Sequence, residues 1–184
     1  MILDALKSRL VDFGKDTRGN VTIEFVLAMP ILFWTFMAGY VFFDGFRQSA
    51  QNLKAAYTIS DLLSRELHPI NNEYIDSMQN LMTMMTRATS QVNLRVSVLR
   101  WDEADDRFYV DWSADRGMGD ELNDGTVSTF ESRLPVMPDN ERIILVETNN
   151  VFVPLYNVGL DNIDLDNFIF TRPRFAPKID WEDT

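Results

Sequence analysis

One uncharged apolar segment, residues 25–43, constrains this chain more than any other feature of its sequence. It reads FVLAMPILFWTFMAGYVFF, and as a helix its 19 residues would span about 28 Å, close to the ~30 Å hydrocarbon core of a bilayer. The apolar region of a signal peptide is shorter and precedes small residues at a cleavage site, whereas Asp44 and Arg47 follow this segment. The sequence therefore predicts a retained membrane-spanning helix.

The charges on the two sides of this segment differ in sign. Residues 1–19 carry four Lys or Arg and three Asp or Glu, so 4 − 3 = +1, whereas residues 44–184 carry 13 basic and 24 acidic residues, so 13 − 24 = −11. Since Lys and Arg close to a span favour the cytoplasmic side, the N-terminus is expected in the cytoplasm. The larger acidic part is then expected across the membrane, in a periplasm or its equivalent.

Composition argues against several classes of function. The chain has no cysteine and a single histidine, His68, so thiolate zinc sites, cysteine nucleophiles and His-rich metal sites are not expected. A net charge of −11 argues against binding to nucleic acid, whose phosphates require Lys and Arg.

Residues 102–106 and 161–166 are two candidate cation loops, yet solvated turns are favoured at both, and the first lacks the ligand order of an EF-hand. We expect no cofactor and no bound metal.

Glu24 directly precedes the apolar segment. An acidic side chain costs ~2.5–3.5 kcal/mol at the centre of a membrane helix and less near its end. Two interpretations remain open: an acid at a helix N-terminus that the helix dipole stabilises, or a carboxylate that pairs with a positive group of a neighbouring chain. Pro30, inside the segment, is expected to kink the helix or to free a backbone carbonyl for a neighbour.

The order of these features resembles the processing signature of type IV prepilins. A short basic leader ends in Arg18-Gly19, and the residues NVTIEF, from Asn20 to Phe25, lead into the apolar helix. More closely, RGNVTIEF followed by VLAMPILF resembles the TadE-like minor pilins, or pseudopilins, of tight adherence (Tad, type IVc) pili. Near the C-terminus, ILVETNNVFVPLY and FIFTRPRF, which contains Arg172-Pro173-Arg174, also resemble TadE-like sequences. The resemblance covers roughly residues 15–47 and 141–175.

The resemblance implies a cut by a prepilin peptidase between Gly19 and Asn20, beside Arg18, which leaves 184 − 19 = 165 residues. Glycine has no Cβ and so fits a narrow protease cleft. The residues implied in assembly are Glu24, Phe25 and Pro30, with the Glu24 carboxylate meeting the terminal amine of an adjacent subunit. The implied partners are the peptidase, other pilins or pseudopilins contacted through the N-terminal helix, and inner-membrane lipid. The implied location is the inner membrane, as a single-pass protein with a periplasmic C-terminal domain, and an extracellular pilus after assembly.

The predicted fold is α+β: a long N-terminal helix, transmembrane and then amphipathic, carries a small pilin-like domain with a second helix and an antiparallel sheet. The chain divides into a leader at 1–19, a transmembrane helix at 20–43, an amphipathic extension at 44–67 and an extracytoplasmic domain at 68–184. Pro69 is expected to end the helix. The extension is expected to pack on its own domain rather than on a partner helix, through an apolar stripe of Phe46, Ala50, Leu53, Tyr57, Leu63 and Leu67.

Weaker signals divide the domain into elements. A second helix is predicted over 72–89 with Asn71 or Asn72 as its cap, followed by a hairpin whose strands begin at Gln91 and Phe108. Residues 114–140, rich in Gly, Asp, Asn and Pro, are predicted as a long loop with a short helical turn. Strands are predicted at 141–147, 151–156 and 166–171, with a turn at Asn149-Asn150 and with Pro154 placing its strand at an edge or ending it.

Three functions from different classes follow. The favoured one is a noncatalytic minor pilin in the base, tip or shaft of a Tad pilus; a type II secretion pseudopilin shares the leader chemistry, but the Arg-Pro-Arg strand fits it less well. The second is a single-span sensor or adaptor with an acidic periplasmic binding domain, which predicts a retained N-terminus. The third is a membrane-tethered enzyme, for which carboxylates are plentiful but no spacing identifies a catalytic pair.

Overall fold

The computed structural model of the protein describes residues 2–15 and 21–182. A long helix near the N-terminus is followed by a shorter helix and a four-stranded antiparallel sheet, which confirms the predicted α+β class. The elements in chain order are α1 (Ile2–Lys15), α2 (Val21–Ser64), α3 (Asn72–Thr86), β1 (Asn93–Asp102), β2 (Arg107–Arg116), a 3-10 helix (Val127–Arg133), β3 (Arg142–Phe152) and β4 (Ile163–Thr171). Helix α1 lies in the predicted leader, for which the sequence analysis predicted no element.

Helix α2 runs without a break through the apolar segment and beyond it. Its 44 residues correspond to about 66 Å of helix. Pro30 lies inside the helix, and because proline has no N–H, the carbonyl of Val26 lacks its usual partner one turn later. The helix ends at Ser64, three residues before the predicted Leu67. One helix therefore joins the apolar segment to the domain.

The C-terminal part of α2 packs on the domain through a different face from the one predicted. Of the predicted stripe only Leu63 is buried, whereas Phe46 and Tyr57 are 76% and 58% exposed. Both faces repeat apolar residues at intervals of three and four, so periodicity alone does not choose between them. The buried face is rich in small side chains, which let the sheet approach closely; it comprises Asn52, Ala55, Ala56, Ile59, Ser60, Leu63 and Ser64. The extension therefore packs on its own domain as predicted, but the predicted face is wrong except at Leu63.

Helix α3 begins and ends at local capping signals. The Asn71 side chain accepts a hydrogen bond from the Tyr74 N–H at 3.0 Å, so Asn71 is the N-cap. Arg87 takes the left-handed conformation with φ 49°, and its N–H bonds to the Thr83 carbonyl. This cap ends the helix at Thr86, three residues before the predicted boundary.

The sheet has the strand order β2-β1-β3-β4, and every neighbouring pair is antiparallel. Strands β1 and β2 form the predicted hairpin. Strand β3 continues through Asn149 and Asn150, so the turn predicted there and the separate strand at 151–156 are wrong. Asn149 lies in a row of side-chain hydrogen bonds across three strands: its side chain accepts from Asn93 at 3.3 Å and donates to the Asp166 carboxylate at 2.6 Å. Pro154 follows the end of β3.

The two faces of the sheet form two hydrophobic cores. One core packs on α2 and α3 and includes Val96, Ile144, Val146, Ile59 and Met82. The other core is covered by the connection between β2 and β3, in which the 3-10 helix supplies the predicted helical turn. Its buried residues are Leu99, Phe108, Leu122, Val127, Met137, Ile143 and Leu145. The long predicted loop thus contributes to a hydrophobic core.

The strands of the sheet lie lengthwise along α2. One end of the domain therefore lies next to the apolar segment, and the contacts with α2 show which end it is. Strand β3 ends at Phe152, whose ring would lie 3.3 Å from a Cβ on Gly45, so the ring packs directly on the helix backbone there. At the other end of the domain, the Arg174 N–H donates to the Ser64 carbonyl at 2.8 Å, and the Arg174 side chain pairs with Asp61 at 3.3 Å. The β3–β4 connection at 153–162 therefore lies at the end of the domain beside the apolar segment.

Candidate functional site

The predicted processing site, Arg18, Gly19 and Asn20, lies outside the described residues. The predicted assembly residues lie near the start of α2, with Glu24 in its first turn and Phe25 and Pro30 behind it. All three are exposed. At about 100° of rotation per residue they point in three directions around the helix. The structure therefore brings them to one end of α2 but not to one face.

Glu24 is a carboxylate in apolar surroundings. Its neighbours Val21, Ile23, Phe25 and Val26 are between 41% and 77% exposed. Within residues 2–15 and 21–182, no Lys or Arg forms an ion pair with Glu24. In lipid, a carboxylate at this position would be stabilised by a cation supplied from elsewhere.

The apolar segment of α2 faces outward. Helix α2 is long and apolar enough to cross a membrane, with a mean hydropathy of 1.9 over its best 18-residue stretch, and only 6% of that stretch is buried within the protein. Its exposed side chains include large aromatic rings, among them Phe33, Trp34 and Phe36. A core helix of a water-soluble domain would instead bury such residues, so this surface is suited to lipid or to other helices.

From Phe43 onward, past Asp44, the exposed apolar surface continues as a stripe on α2. This exposed stripe comprises Phe43, Phe46, Ala50, Leu53 and Tyr57, at intervals of 3, 4, 3 and 4 residues. Phe43 and Leu53 are 71% and 44% exposed. Alternating intervals of three and four are the pattern by which one helix packs its side chains between those of a second helix.

The stripe is the part of the site that sequence reasoning assigned to the wrong environment. Phe36, Phe43, Ala50 and Tyr57 recur every seven residues from the apolar segment into the domain. Residues of the buried face are also spaced by seven, as Ala56 and Leu63 are, so the repeat alone does not distinguish the two faces. The sequence signal that does differ is side-chain size, because the covered face carries small residues and the exposed stripe carries aromatic rings.

The acidic turns are used within the fold. Asp102 accepts hydrogen bonds from the backbone N–H groups of Ala104 and Asp105 at 3.1 and 3.2 Å. The N–H of Asp105, more than the neighbouring Arg100 guanidinium, lowers the pKa of Asp102. The second candidate loop is partly strand, because β4 begins at Ile163. Among the residues that the structure describes, no group of three His, Asp or Glu side chains is placed to hold a metal ion.

The largest cleft of the described protein, of about 470 Å³, is open and is lined by residues of the β3–β4 connection between Pro154 and Asn162. Two other open clefts lie against α2. One of about 410 Å³ lies between Arg47, Arg87 and the chain at 151–155, and a more apolar one of about 260 Å³ lies between Phe42 and Leu160. Both clefts lie beside the apolar segment. They therefore belong to the same surface as the stripe and the span.

Comparison of the chain with models of protein families, with curated proteins and with solved structures finds no match.

Proposed function

We propose that this protein is a noncatalytic minor pilin or pseudopilin of a Tad (type IVc) pilus. A prepilin peptidase cuts it after Gly19, and it then assembles through α2 with related subunits into the pilus or its initiation complex. The proposal draws on the leader motif at 18–25 and on the two faces of α2. It also accounts for the expected orientation, with the N-terminus in the cytoplasm and the domain in the periplasm.

The observation that carries the proposal is the division of α2 into two faces. The domain covers the face with small residues, while the exposed stripe of Phe43, Phe46, Ala50, Leu53 and Tyr57 has no cover within the described protein. A simple anchor needs an apolar surface only within the bilayer. Apolar side chains that continue beyond the bilayer at helix-pairing intervals favour a helix that packs on others of its kind.

In this proposal Glu24 makes the assembled helix more favourable than the isolated one. Cleavage after Gly19 creates an amino group on Asn20, which can approach the Glu24 carboxylate of an adjacent subunit. In a medium of low dielectric constant such a pair is strongly attractive, while an unpaired member is costly. Insertion beside a neighbour is therefore favoured over an isolated helix.

Processing is tested by the intact mass of the protein purified from membranes of cells with and without the peptidase. We expect a chain that begins at Asn20 only when the peptidase is present. Gly19→Val should block the cut because a β-branched side chain does not fit the cleft. Gly14→Val is the matched control in the same leader and should be processed normally. A working form that retains residues 1–19 contradicts the proposal and favours a single-span sensor or adaptor.

Assembly is tested by the amount of this protein in sheared pili and by cross-linking to other pilins. Glu24→Gln is expected to reduce incorporation strongly, whereas Glu73→Gln, an exposed acid at the start of α3, should have no effect. Phe46→Asp on the stripe should behave like Glu24→Gln. Met84→Asp is its control, because Met84 is 69% exposed but lies on α3. Normal incorporation of both Glu24→Gln and Phe46→Asp would contradict assembly through α2.

A further inference from the structure

The β3–β4 connection reaches down beside the apolar segment of α2. The ring of Tyr156 packs edge-on against Tyr40, with 6.2 Å between the ring centroids and 63° between the planes. Tyr40 lies four residues before Asp44, the first charge after the apolar segment, which is about 6 Å along the helix axis. Val41 is only 1% exposed. If α2 spans a bilayer, this connection lies at the depth where the hydrocarbon begins.

The side chains of this connection suit that depth. Residues 153–160, VPLYNVGL, carry no charge. Val153, Leu155 and Tyr156 are 52%, 67% and 41% exposed. Exposed aliphatic side chains beside a tyrosine, whose ring is apolar and whose hydroxyl is polar, are typical of the interface between lipid and water. In water the same side chains would remain without favourable contacts.

The two clefts beside the connection fit the two parts of a phospholipid. On one side Arg47 and Arg87 line the cleft of about 410 Å³, at the level where lipid phosphates lie. On the other side Phe42, Leu160 and Ile163 line the apolar cleft of about 260 Å³. Arg47 is paired with Asp44 at 2.6 Å, whereas Arg87 forms no ion pair with any residue in 2–15 or 21–182. Arg87 is therefore the cation available to a phosphate.

We propose that residues 153–160 insert into the bilayer interface as a second membrane contact, with phospholipid as the occupant of this surface. The helix alone leaves the domain free to rotate about the helix axis and to tilt. A second contact next to α2 fixes both motions and holds the strands upright on the membrane. The proposal depends on α2 crossing the bilayer, and it does not depend on cleavage or on pilus assembly.

The lack of native cysteine allows a direct measurement of depth. The full chain with Leu155→Cys is labelled with a polarity-sensitive fluorophore and reconstituted into vesicles of phosphatidylethanolamine and phosphatidylglycerol. Some of the lipids carry a nitroxide quencher at the headgroup or along the acyl chain. Leu155 is exposed, so the label does not disturb a core. Phe36→Cys, within the apolar segment, reports whether α2 crosses the bilayer.

Val136→Cys is the matched control. Val136 is 99% exposed and precedes β3, whose 11 residues place it about 35 Å from the β3–β4 connection. We expect lipid-borne nitroxide to quench the label at Leu155 several-fold more than the label at Val136. We also expect the emission at Leu155 to shift to shorter wavelength. A second measurement uses unlabelled protein in the same vesicles. Added protease should cut the connection faster in the Leu155→Asp variant than in the unchanged chain, because the aspartate keeps the connection out of the bilayer.

Three results would overturn the proposal. Equal quenching at Leu155 and Val136, with strong quenching at Phe36, would show that α2 spans the bilayer while the connection stays in water. Quenching at Leu155 that disappears as the protein-to-lipid ratio rises would assign the surface to a second copy of the chain. Absence of quenching at Phe36 would remove the span on which the inference rests.

Discussion

Ile59→Ala in α2 is expected to destabilise the domain far more than Leu53→Ala, six residues earlier on the same helix. Ile59 is fully buried against the sheet, while Leu53 is 44% exposed on the stripe. The sequence pattern alone predicted the opposite, because it placed the stripe against the domain. The pair of variants therefore tests which face of α2 the domain covers.

The expected magnitudes follow from burial. Ile59→Ala removes three buried carbon groups, which corresponds to about 2.4 kcal/mol of transfer free energy at ~0.8 kcal/mol per group. The cavity that remains brings the expected loss to about 2–5 kcal/mol. Leu53→Ala loses partial contacts only, and alanine is the better helix former, so its expected cost is below about 1 kcal/mol.

The assay is urea unfolding of the full chain in detergent micelles, followed by tryptophan fluorescence. Trp112 and Trp181 lie 5.2 Å apart between ring centroids beside the helix-facing core, so their emission reports on that core. We expect a large fall in the midpoint for Ile59→Ala and almost none for Leu53→Ala, with unchanged slopes. Equal falls for the two variants, or a larger one for Leu53→Ala, would refute the assignment of faces.

Two further perturbations test contacts within the domain. Glu147 is buried and accepts two hydrogen bonds from the Arg95 guanidinium, at 2.7 and 2.9 Å. The Arg95 side chain is 12% exposed. Glu147→Ala should cost about 3–5 kcal/mol of unfolding free energy, because the mostly buried charge of Arg95 loses its partner. Removal of Asp76, an exposed acid that pairs with Arg116, should cost under about 1 kcal/mol, and equal costs would contradict this. Burial, followed by donation to Glu66 at 2.8 Å, raises the pKa of Tyr74 above its usual value. The folded protein therefore holds this proton more tightly, and the stability that results is complete below pH of about 10 and is lost above it. Tyr74→Phe should flatten the alkaline decline of Tm, and an unchanged decline would count against this role.

Local signals in the sequence were sufficient for α2, α3 and the first hairpin, whereas α1 was not predicted. The uncharged segment, the Asn71 cap and the alternation along β1 each act within a few residues, so they can be recognised without tertiary contacts. The start of the long helix also follows from local order. The presence of an antiparallel sheet could also be predicted, because most of its strands appear in the sequence as separate stretches of strand-favouring residues.

The errors arose where distant residues decide the structure. Asn149-Asn150 has the composition of a turn, yet the partners of the Asn149 side chain lie on β1 and β4, and Asn93 is 56 residues away. The contact between Tyr40 and Tyr156 joins residues separated by more than half the chain. Residues 151–156 were predicted as a separate strand because their β-branched and aromatic residues favour strands. Local propensity does not reveal that residues 151 and 152 complete β3 and that the pairing with β4 ends at Phe152.

Helix α2 presents two surfaces that are unfavourable in an isolated protein. If α2 spans a membrane, Glu24 places a carboxylate beside lipid, and the stripe beyond Asp44 leaves apolar side chains in water. Glu24 and Leu53 are 29 residues apart in one continuous helix, which is about 44 Å. A globular ligand bound to the domain would cover neither surface. A second long helix aligned along α2 can supply both a cation near Glu24 and an apolar face for the stripe, and for this reason Glu24→Gln and Phe46→Asp are expected to fail at the same step.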